Sequence, residues 1–352
     1  MRPLLTFALV AFNQERFIAE AVEGALLQSY TPLEIILSDD CSSDRTFEII
    51  KNIARKYQGG HRIIINRNDY NVGLCGHINK IMKLSNGEFI IIAAGDDISF
   101  SDRVEKIYMA YQSSNYKAKS IFSNYINIDE NSKETIFKYD RKIDGDCFYA
   151  HNIVYNDLAV TGCTHSWHKD VFKIFGDIIT PLTCEDRVIA FRSGLVGQIK
   201  YIQDALVKVR RHDSNIWLYD QDTNKRERVE DIIKKQVEFR NFWTLELKGI
   251  YNNWLKDLEV SKKLFVDRKK EMEELEIFIK KELAMVHVDV DLYNSKYLER
   301  IKIILKTITQ GVEIRKTRHR IGIFLFPWLY KKYMGFKYRV SLHLKYIFWF
   351  LV

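Results

Sequence analysis

Over its first hundred residues the chain alternates between two hydrophobic periods. Four runs, "LLTFALVAF" (4–12), "LEIILSDD" (33–40), "HRIIINRND" (61–69) and "EFIIIAAGDD" (88–97), are nearly continuous in apolar and β-branched residues and stop at a polar turn. Strands buried on both faces read this way. Between them, residues 14–29, 44–57 and 74–85 place apolar side chains three and four apart, as in Phe17, Ala21 and Ala25 or Phe47, Ile50 and Ala54, the stripe of an amphipathic helix. The order β-α-β-α-β-α-β predicts an α/β fold, a mostly parallel, Rossmann-like sheet with helices on both faces. The opening "MRPLLTFALVAF" superficially resembles a signal peptide, but its apolar run ends at Asn13-Gln14-Glu15 with no cleavage-like site, so it is expected to be the first buried strand.

Beyond residue 100 the rhythm changes. A helix start is expected at Ser101-Asp102, then strand-like "SIFSNYINID" and "ETIFKY", a short amphipathic helix near 185–194, and strand-like "QIKYIQDALVKV" (198–209). From about 222 to 310 the chain is charged and helical in period, as in "KRERVEDIIKKQVEFRNFW" and "DRKKEMEELEIFIKKELAMV"; these are expected to be packing helices with solvated faces and carry no assigned chemistry.

The 352 residues, 47% hydrophobic and 13% aromatic, are enough for a large core and an enzyme-sized fold. Cys41, Cys75, Cys147, Cys163 and Cys184 form no C-x-x-C pair, which argues for reduced cytosolic thiols rather than a zinc or disulfide framework. The net charge of +8 resides in residues 311–352, with nine Lys/Arg against one Glu, while the rest of the chain balances. A neutral body with one basic, aromatic end excludes a nucleic-acid surface and points to local attachment. Within that tail "IGIFLFPWLY" and "YIFWFLV" fall short of the roughly 20 apolar residues a spanning helix needs, so the tail is expected to lie on a membrane. The competing reading packs its aromatics as ordinary core.

Chemistry gathers where the expected strands end. Asp39-Asp40, Asp69 and Asp96-Asp97 follow the second, third and fourth strands, and the turn "AFNQE" follows the first. Open α/β sheets bind ligands outside these carboxyl ends. Each acid alone could equally be a turn former or helix N-cap; several on one edge make a polar cleft.

The ordered series "FALVAFNQERFIAEAVEGALLQSYTPLEIILSDDCSSDRT", "NVGLCGHIN" and "GEFIIIAAGDD" resembles the GT-A glycosyltransferases of family 2 over roughly residues 3–215. The resemblance implies an inverting enzyme that moves a hexosyl or N-acetylhexosaminyl group from a nucleotide-diphosphate sugar, UDP-linked by expectation, to a glycan or lipid-linked glycan of a bacterial surface polysaccharide. It implies a GT-A domain over 1–215, with a nucleotide-binding half at 1–100 and an acceptor half at 101–215, followed by a helical region (216–310) and the membrane-associating tail (311–352). It places the nucleotide base on Asp39, with Phe12, Asn13, Glu15, Asp97 and Glu185 as further donor-binding residues. The D-x-D pattern falls on Ala94-Gly95-Asp96, so its first acid is missing and Asp96 remains as the ligand for Mg²⁺ or Mn²⁺. A hard cation there would neutralise the diphosphate oxygens. Asp186, in "PLTCEDRVIAFR", takes the place of the catalytic base, although an acid pair at a helix N-terminus also has a structural explanation. His212, in "VKVRRHDSN", matches the R-x-H-x-x-[SN] turn as a metal or diphosphate ligand. Where many relatives carry Arg before the Asn of "GLCGHIN" this chain has Ile78, which leaves the diphosphate to the metal, to backbone N–H groups or to His77, itself readable as an ordinary, partly exposed helix residue.

No glycine-rich basic loop follows the first strand, which argues against a pyrophosphorylase, and no G-x-G-x-x-G supports an NAD enzyme. The alternative is a catalytically weak, nucleotide-sugar-binding scaffold at the membrane. Either way the expected location is cytoplasmic, peripheral at the inner face of the cell membrane.

Overall fold

The computed structural model describes residues 2–135, 143, 145–156, 158, 160–212, 215, 229–294 and 299–303. The basic tail and most of the strand expected in "ETIFKY" lie outside these residues. The described residues form two compact units, one built from those through 215 together with 252–279, the other from 229–251 and 280–303.

In the first unit the four apolar runs become strands β1 (Leu5–Ala11), β2 (Leu33–Asp39), β3 (Arg62–Arg67) and β4 (Phe89–Ala94), parallel in the order β3-β2-β1-β4. Helices α1 (Ile18–Leu26), α2 (Thr46–Lys56) and α3 (Gly73–Leu84) return the chain between them. Every residue of β1 and β2 is buried, as their unbroken apolar runs require, whereas β3 lies at the sheet edge and alternates in exposure. Phe7, Leu9, Ile35, Leu37 and Ile91 meet Ile18, Val22 and Ile50 of the helices in one core. Each such side chain contributes about 1.5–3 kcal/mol on burial.

The second part of this unit adds β5 (Ile98–Ser99), α4 (Arg103–Ser113), β6 (Ala118–Ile128), β7 (Cys147–Phe148), α5 (Ala150–Tyr155), β8 (Ser166–His168), α6 (Asp170–Phe175), α7 (Glu185–Val196) and β9 (Gln198–Arg210). Three-residue β8 lies antiparallel between β4 and β6 and joins the two parts, while β6 and β9 run parallel beside it. Such a short strand shows no periodicity for a sequence reading to detect.

Two long helices follow, α8 (Val229–Leu264) and α9 (Lys269–Asn294). From Asn252 onward α8 belongs to the first unit and braces α7. Trp254 stacks on Phe191 at 4.8 Å, and Asp257 pairs with Arg192 at 2.8 Å with both side chains fully buried. Helix α7 is therefore not the half-solvated amphipathic helix its sequence suggests. It is buried on nearly every side, from Val188 through Leu195, because α8 covers the face that would have met water. In the second unit Ile250 is buried, as are Met285, Val286 and Leu292. Among the described residues, no helix is long and apolar enough to cross a membrane.

Candidate active site

The C-terminal ends of β1, β2 and β4 converge on one edge. Asp39 ends β2 and is fully buried; its carboxylate accepts the Ser42 backbone N–H (3.0 Å) and the Ser42 hydroxyl, and pairs with the Arg67 Nε at 3.3 Å. Asp40 is consumed by the fold, accepting from Asn68 (2.7 Å) and from the N–H groups of Val72 and Gly73 (3.0 Å each) at the start of α3. Asn13, left-handed at φ 52°, accepts the Ser43 N–H at 2.9 Å and donates its own N–H to Ser42. Glu15 accepts the Arg45 N–H at 3.0 Å. Asn13 and Glu15 thus brace the β1 turn against the turn after β2, while Phe12 stands 44% exposed on the edge. Asp69 is exposed.

In the turn that follows β4, closed by the Asp97 N–H on the Ala94 carbonyl at 3.3 Å, the adjacent acids separate. Asp96 turns toward the end of β9, where its Oδ2 meets the His212 Nε2 at 3.0 Å and the Asn215 Nδ2 at 3.2 Å. The Asn215 Oδ1 accepts the His212 backbone N–H at 2.8 Å, and the Phe17 ring lies 4.7 Å from the imidazole, so His212 is held from three sides. Asp97 is buried and turned inward. It accepts the Arg210 backbone N–H at 2.9 Å and a hydrogen bond from the Cys163 thiol. Burial, reinforced by the neighbouring Asp96 charge, pushes its carboxyl up to about 7. Asp97, expected to contact the donor sugar or cap the next helix, thus spends its carboxylate on Arg210 and Cys163 and makes no cap bond to α4.

The base candidate lies at the start of α7. Asp186 accepts the N–H of Arg187 at 2.7 Å and the N–H of Gly162, and burial pushes its carboxyl up to about 6. Glu185 beside it is buried. Gly162 and Cys163 are neighbours in one helical turn (Gly162–Thr164), so a single turn bonds to Asp186 with one residue and to Asp97 with the next. The fully buried Arg103 of α4 fixes that turn by donating to the carbonyls of Ile92 on β4 (2.7 Å) and Cys163 (3.0 Å). Nothing in the sequence spacing marks Arg103, Gly162 or Cys163. Asn215 was visible only as the last position of the R-x-H-x-x-[SN] pattern.

Other expectations meet different surroundings. His77 is not partly exposed; it is buried against the Ser38 hydroxyl at 2.6 Å, and burial lowers its pKa. Ile78 is a fully buried core side chain. Arg210 spends its guanidinium on the carbonyls of Asp96, Asp129 and Glu130 and on Ser132, clamping the end of β4 to that of β9.

For a divalent cation the available donors are one carboxylate, Asp96, and one imidazole, His212, with no cluster of three acidic, His or Cys groups among the described residues. Mg²⁺ and Mn²⁺ are commonly bound by one or two carboxylates, with phosphate oxygens and water completing the shell. The pair therefore fits a cation shared with a diphosphate and does not fit one caged by protein alone.

Residues 6–171 match the family model described as Glycosyl transferase family 2. The chain thus resembles that family over just under half of its length. Its fold is that of GT-A enzymes: it resembles Staphylococcus aureus TarS 1-349 in complex with UDP-GlcNAc with a TM-score of 0.54 at 15% identity, covering 88% of this chain and 92% of that one. It is also 32% identical over 128 residues to the Escherichia coli UDP-Glc:alpha-D-GlcNAc-diphosphoundecaprenol beta-1,3-glucosyltransferase WfaP, covering 34% of this chain and 48% of WfaP. It is 28% identical over 137 residues to the glycosyltransferase GlyG of Streptococcus pneumoniae, covering 39% and 44%. These matches span less than half the length of either relative.

Proposed function

We propose that this protein is an inverting glycosyltransferase that moves a hexosyl or N-acetylhexosaminyl group from a UDP-sugar to a glycan or lipid-linked glycan acceptor in bacterial surface polysaccharide synthesis. The observation that carries this reading is the Gly162–Thr164 turn, which binds the Asp96-Asp97 segment and the raised-pKa Asp186 into one constellation at the ligand-binding edge of the sheet. The kinship with WfaP, whose name specifies UDP-glucose and a diphosphoundecaprenol-linked acceptor, supports the donor and acceptor classes.

In this scheme the Asp39–Arg67 pair receives the nucleotide base, presenting an acceptor and a donor side by side. Phe12 offers an exposed ring beside it. A cation held by Asp96 and His212 would neutralise the diphosphate oxygens. Asp186 takes the proton of the acceptor hydroxyl while that oxygen bonds to the anomeric carbon from the face opposite the diphosphate. The diphosphate leaves with the electron pair of the broken C–O bond, and the anomeric configuration inverts. A carboxyl at about 6 is ionised at neutral pH yet more basic than an ordinary aspartate, as a general base requires. The basic tail holds the enzyme at the cytoplasmic face, on the same surface as a lipid-linked acceptor.

The test is incubation of the purified protein with UDP-glucose and UDP-GlcNAc, with and without Mn²⁺, following UDP release. Metal-stimulated release of UDP is the expected result. Binding of the nucleotide-sugar without turnover under any metal condition would indicate the scaffold alternative instead.

A further inference from the structure

A cavity of about 770 Å³ opens in the first unit far from the acidic edge. It sits where β6 and β9 begin, with Lys117 just before β6, Lys119 near its start and Gln198 at the start of β9 in its wall. The acidic edge lies at the opposite ends of the same strands, where Ile128 pairs with Arg210. The ten steps of β6 from Ala118 to Ile128 separate the two places, roughly 33 Å at about 3.3 Å per residue. The transfer chemistry proposed above makes no use of this cavity.

Its wall is built. Gly197, between α7 and β9, lies so close to the start of β6 that an added Cβ would fall 2.7 Å from the Lys117 carbonyl, and that carbonyl accepts the Gln198 N–H at 3.1 Å. This close approach fixes both lysines at the rim. On the other side Tyr149 stacks on His151 with rings 6.0 Å apart and 20° from parallel, and the Gln198 amide reaches the Tyr149 hydroxyl at 3.3 Å. Arg268 meets Glu271 through two parallel bonds of 2.9 and 3.0 Å, while its third arm holds the Leu195 carbonyl at the end of α7. Lys119 is paired with Asp170 at 2.9 Å, but Lys117 forms no ion pair with any described residue. Its ammonium is the uncompensated charge of the cavity.

These groups match one class of ligand. A sugar ring has an apolar C–H face that rests on an aromatic surface such as Tyr149, and a rim of hydroxyls that both donate and accept. A guanidinium–carboxylate pair and an amide serve such a rim. The free Lys117 adds a demand for negative charge. A volume of about 770 Å³ is within the range of small-ligand sites and exceeds what a bare inorganic anion fills.

We propose that this cavity is a second saccharide site, which binds a sugar carrying a phosphate or carboxylate and takes no part in the transfer step. In a chain that extends or decorates an anionic glycan, such a site would retain a remote part of the polymer while the acidic edge works on its end. The site does not depend on the transferase reading, because its test needs no turnover.

The experiment is calorimetric titration of the full chain with α-glucose 1-phosphate, glucuronic acid, glucose and inorganic phosphate. Wild type, Tyr149→Ala, Lys117→Glu and a donor-edge control, Asp39→Ala, are compared. Glucose 1-phosphate and glucuronic acid should each bind at least ten-fold more tightly than glucose or inorganic phosphate. Tyr149→Ala and Lys117→Glu should each weaken that binding at least ten-fold, and Asp39→Ala should leave it unchanged. Both cavity substitutions fall on exposed side chains, and an unshifted melting temperature confirms that the variants are folded. Binding of phosphate as tight as that of the sugar acids would overturn the proposal. So would no detectable binding, insensitivity to both cavity substitutions, or loss in Asp39→Ala.

Discussion

Asp186→Asn separates catalysis from stability. The change keeps the shape of the side chain, and the amide oxygen can still accept the N–H groups of Arg187 and Gly162. What it removes is the capacity to take a proton, and loss of a general base costs on the order of 10²- to 10⁴-fold in rate. The same carboxylate is a burden to the fold. Burial raises its pKa from the ordinary 3.8 to about 6, so at neutral pH holding it ionised costs at most about 3 kcal/mol relative to the unfolded chain. The sign follows from the raised folded-state value. Below 3.8 both states are protonated and the burden vanishes; between 3.8 and about 6 the unfolded chain ionises first and the burden grows; above about 6 it is constant. The variant should therefore be more stable than wild type at pH 8 by up to about 3 kcal/mol, and equal to it near pH 3.5 if both remain folded. In wild type, kcat/KM for UDP-sugar turnover should fall about ten-fold for each unit of pH below about 6. The variant should lose that limb along with most of its rate. Paired measurements of urea unfolding and UDP release across pH 5–8 read both quantities. A variant with full transfer activity refutes the base assignment, and one less stable than wild type at pH 8 shows that the carboxylate serves the fold.

Three further outcomes are expected. Asp39→Ala should weaken UDP binding whether or not Mn²⁺ is present, whereas Asp96→Ala should remove mainly the Mn²⁺-dependent part; calorimetry showing equal losses under both conditions would dissolve that division of roles. Asp257→Ala strands the buried Arg192 guanidinium and should cost about 3–5 kcal/mol, much of it recovered by replacing both partners with apolar residues; a cost under about 1 kcal/mol by denaturant titration would contradict the buried pairing. Truncation near residue 310 removes the +8 segment and should abolish salt-sensitive co-sedimentation with anionic vesicles while preserving donor hydrolysis, and equal sedimentation of both forms would reject the membrane reading.

The strands and helices of the first hundred residues were determined locally. Each of β1 through β4 is an apolar run long enough to be read without its neighbours, and each intervening helix carries its own stripe. Parallel pairing of such strands puts their ends on one edge, so the gathering of acids at that edge was legible from order alone. The finer chemistry was not. Asp96 and Asp97 are identical and adjacent in sequence, yet one meets His212 and Asn215 while the other is sealed beneath Arg210 and Cys163, because the chain returns along β9 on a particular side of β4. The burial of α7 depends on a helix some sixty residues further on, since Trp254 and Asp257 of α8 cover Phe191 and Arg192. Arg103 looked like any charged residue at a helix start, and only the fold shows its guanidinium joining β4, which leads to Asp96 and Asp97, to the turn that bonds to Asp186. Periodicity records which face of an element is buried. Which distant side chain meets that face, and with what charge, is set by long-range packing that no local stretch of sequence encodes.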